Sequence, residues 1–316
     1  MHKNLIFLLV CLLLSCRKPA NIALQLDSPI PVISCFYTIN KPFLLQIGYT
    51  YNGGESPKWE SAATVELFEN DVSKGIFTYT DSGKYALNYF PITENKYKIA
   101  INIPNYEKIW AEDILPNPPV IADAYYTLGK SYIQIGSESG PAFDFYAEIK
   151  NTNAANDFYE EYLKSQFMAD GYWQDAAPFY WYKSMIDNPI LLAEGDLEYY
   201  NALGVSGLVF SDKLFNNKTT EFLVKSLYYN DLQSYKPENH RYYVRLNAVS
   251  QNYYFYKKSW LIHAFNQASS VEIQSDFFSF IQLGEPVELY SNMKGGKALG
   301  IFAGYNMSQK QYTYVP

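Results

Sequence analysis

From Ile30 to Asp113 the chain alternates apolar and polar residues in short runs: Pro31 to Ile39, Phe43 to Tyr51, Ala63 to Phe68, Gly75 to Thr80, Tyr85 to Tyr89, Lys96 to Ile103 and Lys108 to Asp113. A period of two is that of a half-buried strand, and a helical period is absent from this stretch. Asn52-Gly53-Gly54 and Asp81-Ser82-Gly83 separate runs as turns. Short strands at this spacing predict an immunoglobulin-like or transthyretin-like β-sandwich over residues 30–115.

Pro116-Asn117-Pro118-Pro119 then interrupts the pattern. Successive prolines fix φ and remove amide donors, so residues 116–119 are expected to be an extended linker to a second domain, residues 120–316. Strand patterns recur there at Ala122 to Leu128, Ser131 to Ile135, Ala142 to Lys150, Leu197 to Tyr200, Gly207 to Phe210, Thr220 to Tyr229, Arg241 to Ala248 and Asp276 to Ile281. Two stretches change period. Ala155, Phe158, Tyr159, Tyr162, Leu163 and Phe167 fall at helical spacing, predicting a helix near 154–168 with Glu160, Glu161 and Lys164 outward. Ser250 reads as the N-cap of another helix near 250–266, with Tyr253, Tyr256, Trp260 and Ala264 on one stripe and Lys257 and Lys258 facing water. At the close, Val287 to Tyr290, a turn over Asn292 to Lys297, and Leu299 to Tyr305 suggest a hairpin that completes a sheet. The fold class expected is mainly β, a sandwich followed by a larger β-rich domain with two helices.

The N-terminus has a different character. A basic start at Lys3, ten apolar residues from Leu5 to Leu14, and Ser15-Cys16 have the parts of a secretion signal, and ten apolar residues are too few to span a bilayer. Leu13-Leu14-Ser15-Cys16 resembles a bacterial lipobox. Residues 1–15 then form a lipoprotein signal peptide, Cys16 carries palmitate-type acyl chains, and residues 16–29 form a polar tether. The expected location is the outer membrane, with the facing leaflet left open. Once Cys11 is removed and Cys16 acylated, Cys35 remains alone, so the core rests on packing and Cys35 reads as a buried thiol.

Composition narrows the class further. Aromatics make up 18% of residues, with 31 Tyr and 20 Phe, which suits pleated surfaces. The net charge of −7 comes without any basic stripe, so nucleic acid is excluded as a partner. Gly295-Gly296 leads into a strand-like run and lacks the Gly-Lys-Ser/Thr helix opening of a phosphate loop, so these glycines read as turn and close-packing residues. His240 and His263 have no second ligand at metal spacing, no Gly-x-Ser-x-Gly elbow is present, and no cofactor is expected. Asp170, Asp175 and the Glu160-Glu161 pair allow a glycan hydrolase as a minor alternative. The most aromatic window runs from Gly171 to Lys183. Tyr172, Trp173, Tyr180 and Trp181 are its candidate ligand or partner residues, against the alternative that this segment is tucked into the core.

Three segments carry a family resemblance. Pro286-Val-Glu-Leu-Tyr290-Ser-Asn292, with the following Gly-Gly and Leu299-Gly-Ile-Phe302-Ala-Gly304-Tyr305, resembles the C-terminal signature of the Bacteroidota lipoprotein family known as domain of unknown function 4249. Phe210-Ser-Asp-Lys-Leu-Phe215-Asn-Asn and Tyr243-Val-Arg-Leu-Asn-Ala-Val-Ser250 are similar to it as well. The resemblance implies an envelope location and, as partner, a TonB-dependent receptor, since relatives tend to be encoded beside such transporters. The function expected is therefore a non-enzymatic outer-membrane lipoprotein that serves as a binding accessory to a transporter. The alternative is a structural or adhesive envelope protein.

Overall fold

The computed structural model describes residues 29–51, 56–135, 138–151, 157–176, 184–185, 189–203, 205, 207–228, 233, 235–267 and 288–316. Cys16, Tyr180, Trp181 and the strand expected at Asp276 to Ile281 lie outside these residues.

The first lobe is a sandwich of short strands, β1 (Pro31–Tyr37), β2 (Phe43–Tyr49), β3 (Thr64–Glu69), β4 (Val72–Ile76), β5 (Thr78–Tyr79), β6 (Lys84–Leu87), β7 (Lys96–Asn102) and β8 (Ile109–Ile114). The alternation has the predicted consequence. Ile33, Cys35, Phe43, Leu45 and Ile47 of one sheet meet Val65, Leu67, Tyr97, Ile99, Ile101 and Ile109 of the other in one buried cluster. Cys35 is fully buried there, and its burial pushes the thiol pKa far up, as expected of an inert packing residue.

The second lobe contains β9 (Val120–Ile135), β10 (Glu138–Lys150), β11 (Phe158–Ala169), β12 (Tyr172–Asp175), β13 (Ser184–Met185), β14 (Gly207–Ser211), β15 (Thr219–Leu227) and β16 (His240–Val249). The chain closes with β17 (Lys294–Gly295), β18 (Leu299–Gln311) and β19 (Thr313–Tyr314). Among the described residues three α-helices accompany these strands, Pro189–Glu194, Leu197–Leu203 and the long Gln251–Gln267. The runs expected at Ala122 to Leu128 and Ser131 to Ile135 are one strand of 16 residues, carried through Gly129 at a φ of +76°.

Three sheets result among the described residues. The largest runs β12-β11-β16-β18-β1-β2-β6-β5, with β14 also paired to β11, and the two others run β13-β15-β10-β9-β19 and β17-β8-β7-β3-β4. β18 joins the lobes. Its first half pairs in parallel with β1, Val32 to Tyr37 against Leu299 to Gly304, and its second half pairs with β16, Val249 to Tyr243 against Tyr305 to Gln311. At the change of partner, Gly304 donates its N–H to Asp113 Oδ2 at 2.9 Å, and Asn252 Nδ2 donates to Asp113 Oδ1 at 2.9 Å. Burial raises the Asp113 carboxyl to about 6, against hydrogen bonds that lower it. The proline segment is fastened to the same strand. Asn306 donates to Pro116 O, and Ser308 donates to Pro119 O at 2.6 Å.

Five expectations are corrected. Residues 158–169 form strand β11, not the second half of a helix. Apolar side chains cover both of its faces, Tyr159 and Leu163 on one and Phe158 on the other, so the period of two is hidden and the sequence mimics a helical stripe. Glu160 and Glu161, predicted outward, are each 1% exposed. Leu197 to Tyr200 belongs to a helix; a four-residue pattern is too short to separate the two periods. The closing segment is not a hairpin: Lys294 and Gly295 pair with Trp110 and Ile109 of β8, while β18 pairs elsewhere. Gly295 adopts a φ of +89°, and a Cβ there would lie 2.3 Å from the Lys108 carbonyl, so its glycine serves close packing. Finally, Lys257 and Lys258, predicted to face water freely, are each ion-paired to a buried carboxylate, with Lys258 the more deeply covered of the two.

Candidate ligand-binding cleft

The outer face of the largest sheet is where the strands collect polar and aromatic side chains. On β16, alternation sends Val244, Leu246 and Ala248 into the core cluster of the second lobe, and so turns Arg245 and Asn247 to the opposite face. Register places Tyr162 of β11 beside Arg245, and Met307 of β18 beside Asn247. The long helix lies across part of this face, packing Tyr253 and Tyr254 on Val249, Ile301 and Ala303. Ser250 caps it, its Oγ accepting the Tyr253 N–H at 3.2 Å.

Between the helix and the uncovered strands lies a cleft of about 760 Å³. One wall is aromatic: Phe36 from β1, Tyr253, Tyr256 and Trp260 from the helix, and Tyr305 from β18. Phe36 meets Tyr253 at 5.3 Å and Tyr256 at 5.9 Å between ring centroids, so the wall is a connected set of rings. Trp260 remains 39% exposed. The floor is polar, with Lys164, Arg245, Asn247 and, at the end of β12, Asp175. A smaller cavity of about 300 Å³ adjoins it, sharing Tyr162, Lys257 and Trp260 and reaching Gly207. A Cβ on Gly207 would come within 2.8 Å of the Tyr162 ring, so the missing side chain keeps that recess open.

The charges on the floor are mostly internally balanced. Glu160 receives Tyr253 Oη at 2.5 Å, Lys257 Nζ at 3.2 Å and Asn247 Nδ2 at 3.3 Å. Burial and the neighbouring Glu160 hold the Tyr253 phenol protonated well above its ordinary range. Lys164 pairs with Asp175 at 2.8 Å, and this hydrogen bond, with that from Gln166, lowers the Asp175 carboxyl. Arg245 donates its Nε to Gln309 Oε1 at 2.7 Å.

Of the four candidate residues of the aromatic window, Tyr172 and Trp173 lie among the described residues. Tyr172 and Trp173 stand next to the β11–β12 turn, where Asp170 and Gly171 take positive φ, and they do not line the cleft. Tyr172 is 76% exposed, while Trp173 lies under the Arg241 guanidinium at 3.8 Å. Among the described residues of the window, Asp175 at the end of that strand and the following Ala176 reach the cleft. The four carboxylates weighed for hydrolysis are also dispersed: Asp170 is at the turn, Asp175 in the cleft, Glu160 beneath the helix, and Glu161 on the face toward the core. His240 stacks on Tyr235 at 5.1 Å, and burial lowers its pKa. Among the described residues no group of three or more His, Cys, Asp or Glu could hold a metal ion.

The residues that build the cleft had a partial signature in sequence. Alternation along Arg241 to Ala248 marks Arg245 and Asn247 as sharing a face, and the helical stripe groups Tyr253, Tyr256 and Trp260. Their meeting was not legible, because Glu160 and Asn247 are 87 positions apart.

Fold and cleft together define a mainly β protein with a ligand-sized aromatic recess on a sheet face. The chain belongs to the family described as domain of unknown function 4249, whose model matches residues 17–311. A solved Bacteroides uniformis structure, provisionally described as a carbohydrate binding protein, aligns over 70% of this chain and 89% of its own at 11% identity, with a TM-score of 0.17. No curated protein matches the chain.

Proposed function

We propose that the chain is a lipid-anchored, non-enzymatic binding protein of the outer membrane that holds a ligand in the cleft as an accessory to a TonB-dependent transporter. The observation that carries the binding reading is the cleft itself. Its volume of about 760 Å³ falls in the range of small-molecule sites, and a connected aromatic wall over a few polar groups is the composition such sites use. The anchor and the location rest on the Leu13-Leu14-Ser15-Cys16 pattern, and the transporter partnership rests on the family resemblance. Confinement near a transporter mouth would raise the local ligand concentration without any further contact. The dispersed carboxylates support binding over glycan hydrolysis, since that chemistry needs two of them flanking one bond.

A pull-down of the tagged chain from native membranes in mild detergent tests the accessory role. A TonB-dependent receptor recovered in stoichiometric amount is the expected result. Recovery of the chain alone while receptors are solubilised would favour the structural or adhesive role.

A further inference from the structure

Two groups on the cleft floor are left unfilled by their neighbours. Asn247 is 7% exposed and gives its Nδ2 to Glu160, while its Oδ1 has no hydrogen-bond partner. Because a carboxylate only accepts, Glu160 orients this amide and leaves the carbonyl oxygen as the free end. A buried acceptor without a donor is unfavourable; this oxygen is itself shut off from solvent, so a donor in the cleft satisfies it once the Asn247 side chain turns toward the opening.

Arg245 is the second such group. Lys164 has Asp175 and Lys257 has Glu160, whereas Arg245 gives its Nε to the neutral Gln309, lies near enough to Asp175 to help lower that carboxyl, and forms no ion pair among the described residues. Its terminal nitrogens remain as a fork suited to a carboxylate. Arg245 and Asn247 are two positions apart on one strand, so their side chains emerge on the same face roughly 7 Å from each other. Above them stand the exposed ring of Trp260 and that of Tyr256.

We propose that the cleft takes a saccharide bearing a carboxylate, an acid sugar of the uronate type. Its carboxylate lies on Arg245, the C–H face of a sugar ring rests on the aromatic wall, and a ring hydroxyl donates to Asn247 Oδ1 as that side chain turns toward the ligand. This rests on the cleft being the binding site. A sugar suits the geometry because it has an apolar face and a polar rim, matching a ring wall over a polar floor. A peptide suits it less. The cleft lies on a sheet face whose strands β11, β16 and β18 pair with one another, and a bound main chain would find no edge to complete its hydrogen bonds.

The test is calorimetric titration of the detergent-solubilised full chain with oligogalacturonate, oligoglucuronate and oligomannuronate, with their carboxyl-reduced neutral counterparts, and with an acidic peptide. At least one acid oligosaccharide is expected to bind about tenfold or more tightly than its neutral counterpart, the range of a charge-assisted contact. Arg245→Gln should erase that preference, and Asn247→Leu should weaken both forms, with circular dichroism confirming that each variant folds. Equal binding of the neutral form, or a preference that survives Arg245→Gln, overturns the acid-sugar inference and leaves the cleft as the site. Binding of the acidic peptide alone, or of no saccharide in the panel, also overturns it. Saccharide binding that survives the double change of Tyr256 and Trp260 to Ala places the ligand elsewhere and overturns the cleft reading too.

Discussion

Glu161 has no counterpart among the charged residues of this chain that line the cleft. It projects from β11 into the core between sheets, beside Leu246 and Leu208 in register, with its Oε2 unpartnered, and burial raises its carboxyl to about 8. The folded state therefore binds a proton that the unfolded chain, ionised above its ordinary value near 4.5, does not hold. The sign follows from that difference. The contribution is fully present below the unfolded value and is lost as pH rises through about 8. Urea unfolding should show wild type losing on the order of 1 kcal/mol between pH 7 and pH 9, a loss absent from Glu161→Gln. A parallel pH dependence in the two proteins would place the titration elsewhere. Gly300 is a second informative position. Its φ is +129°, and a Cβ would stand 1.9 Å from the Ile33 carbonyl, inside the β1–β18 pairing. Gly300→Ala is expected to destabilise by about 3 kcal/mol or more, read from thermal or denaturant unfolding.

Lys258 shows how helices are tied to one another. Its Nζ lies 2.9 Å from Glu194 and 2.5 Å from Asp196, and all three side chains are at most 15% exposed. Glu194 ends one short helix and Asp196 precedes the next, so a single ammonium holds both against the long helix. Removing it leaves two buried carboxylates uncompensated. Lys258→Met should lower stability by roughly 3–5 kcal/mol and raise hydrogen exchange first in residues 189–203, with the first-lobe strands still protected. Equal deprotection of both lobes would show instead that they unfold as one unit. The stripe Tyr253, Tyr256 and Trp260 and the Ser250 cap were legible, because a 17-residue helix repeats its period several times. The partners of Lys257 and Lys258 were not, since Glu160, Glu194 and Asp196 come from distant segments. Strand β11 is hidden in the sequence for a related reason: a central strand with both faces covered shows no alternation to read.

The lobes share a continuous sheet because β18 pairs with β1 in one and β16 in the other. The strands of the first lobe could be read almost completely from alternation, yet nothing in that pattern shows that its sheet is completed by residues 299–304. At this level the anchor makes its own prediction. Cys16→Ala should move the chain from the membrane fraction to the soluble fraction after lysis, and should abolish incorporation of labelled palmitate. Retention in the membrane fraction without label would assign attachment to something other than the acyl chains.

Sequence alone determined the β class, the turn positions marked by Asp81-Ser82-Gly83, the Ser250-capped helix, the packing role of Cys35, and the family signature. These are local properties: a period, a cap, a turn or a motif is complete within a few neighbouring residues. Tertiary structure alone decided that Phe36, Tyr162, Arg245, Asn247, Trp260 and Tyr305 surround one cleft, and that Glu160 and Glu161 lie on opposite faces of a strand. Those facts depend on which strands become neighbours. Register between segments far apart in the chain is set by the packing of the whole sheet, and no window of sequence contains it.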